Sequence, residues 1–208
     1  MTLAAAAATT AQAAAAEASL GAFHLDPLAA VSLSGIEPRT ATLSTDGDAA
    51  ATHPMLAPDA CDVEPYGLVA SDFNGITISA VGVGLNWFVA ERLSVGVFGE
   101  AMYVNQAGDN AAGGGAGVLL RWYFARLETF TLFGEAGVGF SAFDGRVPDD
   151  GTSVDFTPRA AIGAHIALDA TTALSARVGW LHLSNAQTGE NNPGIDTLAV
   201  SLGLHIAF

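Results

Sequence analysis

From Val63 to Phe208 apolar and polar or small residues alternate with a period of two, and turn-forming clusters interrupt the alternation at regular intervals. That pattern predicts eight strands, over 63–72, 76–89, 93–106, 113–125, 129–143, 153–168, 171–186 and 196–208. The connections alternate as well. Those after the second, fourth and sixth strands are tight, near Ala90-Glu91, Arg126-Leu127 and Asp169-Ala170. Those after the third, fifth and seventh are longer and polar: Ala107 to Ala112, Asp144 to Thr152 and Gln187 to Ile195. On that side only Asp72-Phe73-Asn74-Gly75 is short. An even strand count with tight turns at one end and long loops at the other predicts an all-β fold. Its expected form is an eight-stranded antiparallel up-and-down transmembrane β-barrel of the outer-membrane kind.

The two faces agree. One carries Asn86, Glu100, Arg121, Glu135, Asp155, Arg159, Arg177 and His205. The other carries Val81, Val83, Leu85 and Trp87; Val95 and Val97; Val118, Leu120, Trp122 and Phe124; and Leu132, Ala136, Val138 and Phe140. The second set is too uniformly apolar to face water, so it is assigned to lipid and the first set to the barrel interior. Glu100, Arg121, Glu135, Arg159 and Arg177 fall on the third to seventh strands, where they are expected to pair inside a lumen too narrow for a channel. Trp87, Trp122, Phe124 and Phe208 gather at the tight-turn end, and Tyr103, Phe140, Phe156 and Trp180 at the long-loop end. Two aromatic girdles suit a bilayer with two interfaces. The terminal Phe208 resembles the last residue of bacterial outer-membrane barrels.

Composition narrows the remaining choices. Seven Arg, no Lys and 21 acidic residues give a formal net charge of −14, which leaves no basic stripe for nucleic acid. Mean hydropathy is +0.39, yet no apolar run is long enough for a spanning helix. Cys61 is single, which excludes a disulfide framework and a cysteine metal cluster. Gly113-Gly114-Gly115-Ala116-Gly117 lacks the Lys-Ser/Thr of a phosphate loop, and Gly82-Val83-Gly84 lacks the third glycine of a dinucleotide fingerprint. Both are read as structural glycines. Asp149, Asp150 and Asp155 are read as solvated loop acids rather than a Ca²⁺ site. No cofactor and no metal are expected. Residues 1–60 are Ala-rich with small-x-small sites but have no basic residue ahead of the apolar run; they read as a processed or disordered leader preceding a barrel over 61–208.

The chemistry concentrates in Trp180-Leu181-His182-Leu183-Ser184-Asn185, the loop that follows, and Asp196. His182 and Ser184 lie two apart and share a strand face. Asn192-Pro193-Gly194 reverses the chain, and Asp196 opens the last strand on the face of Leu198, Val200 and Leu202. With the seventh strand running outward, all three polar groups meet lipid at the outer interface. That placement costs up to a few kcal/mol unless the groups bond one another. A serine, a base and a carboxylate can perform acyl transfer. His182 would take the proton of Ser184, Asp196 would fix the imidazole, and Asn185 or nearby backbone N–H groups would steady the oxyanion. Grooves beside Phe156 and Trp180 would hold an acyl chain.

His-x-Ser-Asn, a short loop with Asn-Pro-Gly, and an acid two residues after that glycine resemble the outer-membrane lipid A deacylases called PagL. The resemblance extends over roughly 63–208 and includes Phe156-Thr157-Pro158. It implies a serine esterase that removes an ester-linked 3-hydroxyacyl chain from the lipid A of lipopolysaccharide in the bacterial outer membrane. It also implies His182 as base, Ser184 as nucleophile, Asn185 as an oxyanion contributor and Asn192 as a residue ordering the loop. The family's acid is typically Glu, whereas Asp196 stands here, with Glu190 a weaker alternative in the loop. Lipid A, lipopolysaccharide and outer-membrane lipids are the expected partners, and a homodimer is left open. Two other readings compete: a non-catalytic barrel for envelope integrity or adhesion, and a soluble ligand-binding barrel of lipocalin type.

Overall fold

The computed structural model describes residues 59–127, 130–189 and 191–208; the expected leader, apart from its last two residues, and Glu190 lie outside them. Nine strands follow one another: β1 (Cys61–Ser71), β2 (Thr77–Ala90), β3 (Leu93–Asn105), β4 (Ala111–Arg126), β5 (Phe130–Val147), β6 (Thr152–Phe156), β7 (Arg159–Ala167), β8 (Thr172–Leu183) and β9 (Ile195–Ala207). All pairings are antiparallel; sequence neighbours pair except that β5 pairs with both β6 and β7, and β1 pairs with β9, so the sheet closes on itself. Closure satisfies every strand edge, as a sheet surrounded by lipid requires.

The stretch expected as one strand over 153–168 is two segments. Pro158 has no N–H to give the ladder and restrains Thr157 before it. The interruption is local, because Phe140 pairs with Phe156 and Gly137 with Arg159 in one unbroken register. β6 and β7 therefore form a single stave, and the barrel has eight. The fifth strand runs four residues beyond its expected end at 143. Its alternation continues to the buried Val147, and the Gln106 side chain donates to the Arg146 carbonyl at 2.8 Å. The seventh strand ends early, at Leu183, because the Asn185 side chain takes over the bonds of the backbone that follows.

Outside, Val81, Val118, Ile162, Val178, Val200 and Leu202 are each more than half exposed. A contiguous apolar belt of that kind has lipid as its solvent, which excludes the soluble-barrel reading. Inside, three tiers fill the lumen. Phe88, Tyr123, Phe133 and Ala173 form an aromatic floor at the tight-turn end. Above it Arg121 bonds Glu64 at 2.8 Å and Glu135 at 2.6 Å, Arg177 bonds Glu64 at 3.1 Å, and Arg159 bonds Glu100 at 2.5 Å. The expected interior charges do point inward, and several pair across the barrel rather than only between neighbours. Glu64 and Asp62, absent from the expected set, complete this tier. At the long-loop end Ile78, Met102, Val104, Phe143, Leu181, Leu183 and Ile195 make an apolar cap. Leu181 and Leu183 lock the inner face of β8, which presents the residues between and beyond them to the outside.

Candidate active site

On the outer face of β8 and β9, His182 stands directly opposite Asp196 in the ladder. Its Nδ1 lies 2.9 Å from Asp196 Oδ1. An ionised carboxylate only accepts, so Nδ1 carries the hydrogen and Nε2 is left with a lone pair directed away from the acid. Trp180, two residues earlier on the same face, donates its indole N–H to that same Oδ1 at 2.7 Å. Its ring stacks on the imidazole with 5.6 Å between centroids. The histidine is thus held on two sides. The His182 backbone N–H donates to the Pro158 carbonyl at 3.0 Å, so the strand break that replaces one ladder residue with proline still supports the base.

Ser184 also faces outward, one step closer to the long loops. Its backbone exchanges hydrogen bonds with Phe156, 2.7 Å from Phe156 N to Ser184 O and 3.1 Å in the reverse direction. Among the described residues no hydrogen bond joins its hydroxyl to the imidazole. Phe156 lies beside Ser184 on this face, and its ring packs on Phe140 at 4.4 Å. Trp180 pairs with Ala160, which pairs with Ala136, so two small side chains lie level with the indole, four residues along their strands from the Phe140–Phe156 pair.

Asn185 turns the other way and is buried. Its backbone N–H donates to Asn192 Oδ1 at 2.9 Å and its Nδ2 to the Asn191 carbonyl at 2.6 Å. Its Oδ1 accepts Gln187 N–H at 2.9 Å, and Thr188 closes on its carbonyl. Asn185 and Asn192 thereby staple the loop, which enters through left-handed Ala186 and Gln187 and leaves through Gly194 at φ 64°. A Cβ on Gly194 would sit 3.3 Å from His182 Cε1, so the glycine gives the loop room to pass over the base. The indole bond to Asp196 and the support from Pro158 were not legible in the sequence; both depend on cross-strand register.

A family model described as lipid A 3-O-deacylase (PagL) matches residues 77–205. The chain belongs to the PagL family. It is accordingly an outer-membrane lipid A deacylase by family, built on a closed barrel. The crystal structure of the outer membrane enzyme PagL superposes with a TM-score of 0.52 at 22% identity, over 68% of this chain and 97% of that one. The N-terminal β-barrel domain of OprF from Pseudomonas aeruginosa superposes with a TM-score of 0.54 at 11% identity, over 73% of this chain and 98% of that one. No curated protein matches the chain in sequence. The match to OprF, a different outer-membrane protein, shows that the barrel is a shared scaffold.

Proposed function

We propose that Ser184, His182 and Asp196 form a lipid-facing triad that hydrolyses the ester-linked 3-hydroxyacyl chain of lipid A. The observation that carries this reading is the 2.9 Å pairing of His182 Nδ1 with Asp196 on the outward face, which leaves Nε2 free on the face that bears Ser184. Two residues along a strand span roughly 6.6 Å, a gap that side-chain torsions of both residues close when substrate arrives.

Ser184 Oγ attacks the ester carbonyl while His182 Nε2 takes its proton. The tetrahedral intermediate collapses, the sugar oxygen leaves with that proton, and an acyl-serine remains. Water then attacks the acyl-serine with His182 again as base, releasing the fatty acid and restoring Ser184. Asp196 holds the tautomer and stabilises the imidazolium. Asn192 keeps the loop ordered, and Asn185 serves the oxyanion through its backbone N–H, once substrate binding frees that N–H from Asn192. Asp196 in place of the family's Glu is one methylene shorter; direct cross-strand opposition to His182 makes the shorter reach sufficient.

A lipid-anchored chain need not enter a filled lumen. It lies in the trough over Ala136 and Ala160, level with Trp180, where burial contributes about 0.8 kcal/mol per methylene. The deciding experiment is mass spectrometry of lipid A after exposure to the purified barrel. Wild type removes one 3-hydroxyacyl chain and Ser184→Ala, folded alike, removes none. Equal turnover by both proteins defeats the triad.

A further inference from the structure

Just above its aromatic floor the lumen holds a second cluster of chemistry-bearing groups, on the inner wall and towards the opposite end from His182. Glu64 on β1, His165 on β7 and His205 on β9 are all buried, and their ligand atoms lie within 4.8 Å of one another. His205 is fully buried, and neither of its ring nitrogens has a hydrogen-bond partner among the described residues. Glu64 Oε2 is held by Arg121 at 2.8 Å, and its Oε1 has only an ion-pair contact, 3.1 Å from Arg177. Imidazole nitrogens without a hydrogen bond inside a sealed barrel are costly, and those of His205 sit beside two further ligand-bearing side chains.

What surrounds the cluster is also ordered. His205 Nδ1 faces Asp62 Oδ1 at 3.4 Å, and that same oxygen accepts the Asn86 amide at 2.6 Å. A carboxylate behind one imidazole nitrogen, itself fixed by an amide, is the outer support that metal-ligating histidines carry. It turns Nε2 of His205 towards Glu64 and His165. Charge points the same way. Asp62, Glu64 and Glu135 face two guanidiniums, Arg121 and Arg177, and those two are engaged by Glu64 and Glu135. One negative charge in this tier is left over. The Arg121 Nη1 that lies 3.5 Å from His165 Nε2 is already bonded to Glu64, which limits its opposition to a cation.

We propose that Glu64, His165 and His205 bind one divalent cation of the zinc class inside the barrel. Two imidazoles and a carboxylate are a ligand set that such ions take, with water as the fourth donor. Bonds of about 2.1 Å place neighbouring donors roughly 3.4 Å apart, so closing on the ion asks for shifts of about an ångström. The ion ties β1, β7 and β9 together above the aromatic floor, a structural role separate from the outer-wall chemistry. No spacing motif announces it, because its donors come from three strands.

The test uses Co²⁺ as a spectroscopic stand-in. The full chain, without an affinity tag, is refolded into detergent micelles with Co²⁺ present, after chelator treatment. The expected result is one equivalent retained, with visible ligand-field bands. His205→Gln loses it, Asp62→Asn weakens retention by about 10–100-fold, and His182→Ala retains it in full. Less than one equivalent in wild type, or a site lost with His182 and kept without His205, overturns the proposal; so would a His205 that simply shares a proton with Asp62. Should His205→Gln fail to fold, wild type refolded with Cu²⁺ decides. Hyperfine coupling to two imidazole nitrogens supports the site, and its absence overturns it.

Discussion

Trp180 and Asp196 are joined across the β8–β9 ladder by a 2.7 Å hydrogen bond to Oδ1, the oxygen that His182 also contacts. The Asp196 side chain is 70% exposed, so these two partners are what hold its direction. Trp180→Phe keeps most of the apolar surface and removes one donor. A charge-assisted hydrogen bond is worth about 1.5 kcal/mol, so kcat on lipid A should fall roughly tenfold with KM little changed. Steady-state kinetics in mixed micelles separate the two terms. A raised KM with kcat intact would confine Trp180 to chain binding.

Asp196→Asn should cost far more. An amide opposite Nδ1 can present its own N–H and reverse the tautomer, and losses of this kind reach about 10⁴-fold in kcat. Stability should hold within about 0.5 kcal/mol, because the side chain is exposed and an amide oxygen can still accept the Trp180 indole N–H. Asp196→Glu, the family's usual acid, should retain most activity. Loss of turnover in both variants alike would mean that the length of the acid matters as well as its charge.

The fold was legible because a barrel writes itself in a two-residue period, and this period is clean from β2 to β5. It blurred where the chain departs from the ladder. Thr157-Pro158 breaks a stave without shifting its register, which periodicity cannot detect. Asp62 and Glu64 were missed although they alternate with Val63 and Pro65 as interior residues do: the first strand was started at 63, one residue past Asp62, and Glu64, inside it, was not assigned to a face. At the candidate site, the sharing of a face by His182, Ser184 and Asp196 followed from counting. The Trp180–Asp196 bond and the inward burial of Asn185 did not, since both depend on which residues of separate segments oppose one another.

Arg121 is fully buried between Glu64 and Glu135. Arg121→Met would leave two carboxylates with only the weaker Arg177 contacts, at 3.1 Å and 3.5 Å. Breaking a buried pair from one side costs about 3–5 kcal/mol. The urea midpoint of the folded barrel in lipid vesicles should fall accordingly. Arg121→Lys should recover only part of the loss, since one ammonium cannot reproduce a guanidinium bridging two acids.

The β7–β8 turn gives a pH-dependent prediction outside the membrane. Asp169 accepts backbone N–H groups of Thr171 at 2.9 Å and Thr172 at 2.8 Å, and these hold its carboxyl below the ordinary value of 3.8. A depressed folded-state value means that its contribution is complete above the unfolded value and is lost as pH falls through the folded one. Asp169→Ala should therefore lower the unfolding midpoint at pH 7 and have no further effect once both forms are protonated, below the folded value. Midpoints of the two proteins that differ equally at both pH values would assign the effect to backbone propensity.

Ala160 forms the floor of the trough beside Trp180, and its small side chain points outward. If the substrate chain lies there, a ring at this position occupies the space of several methylenes. Each methylene displaced forfeits about 0.8 kcal/mol, close to fourfold in kcat/KM. Ala160→Phe should thus depress kcat/KM on long-chain esters by at least about tenfold, while short-chain esters, which never reach the trough, lose much less. The slope of log kcat/KM against chain length is the quantity to measure, because a general distortion of His182 or Ser184 would lower all chain lengths by the same factor and leave the slope unchanged. A flattened slope places the acyl chain over Ala160; a parallel drop would move the chain elsewhere on the outer wall and leave the triad with a different approach for its substrate.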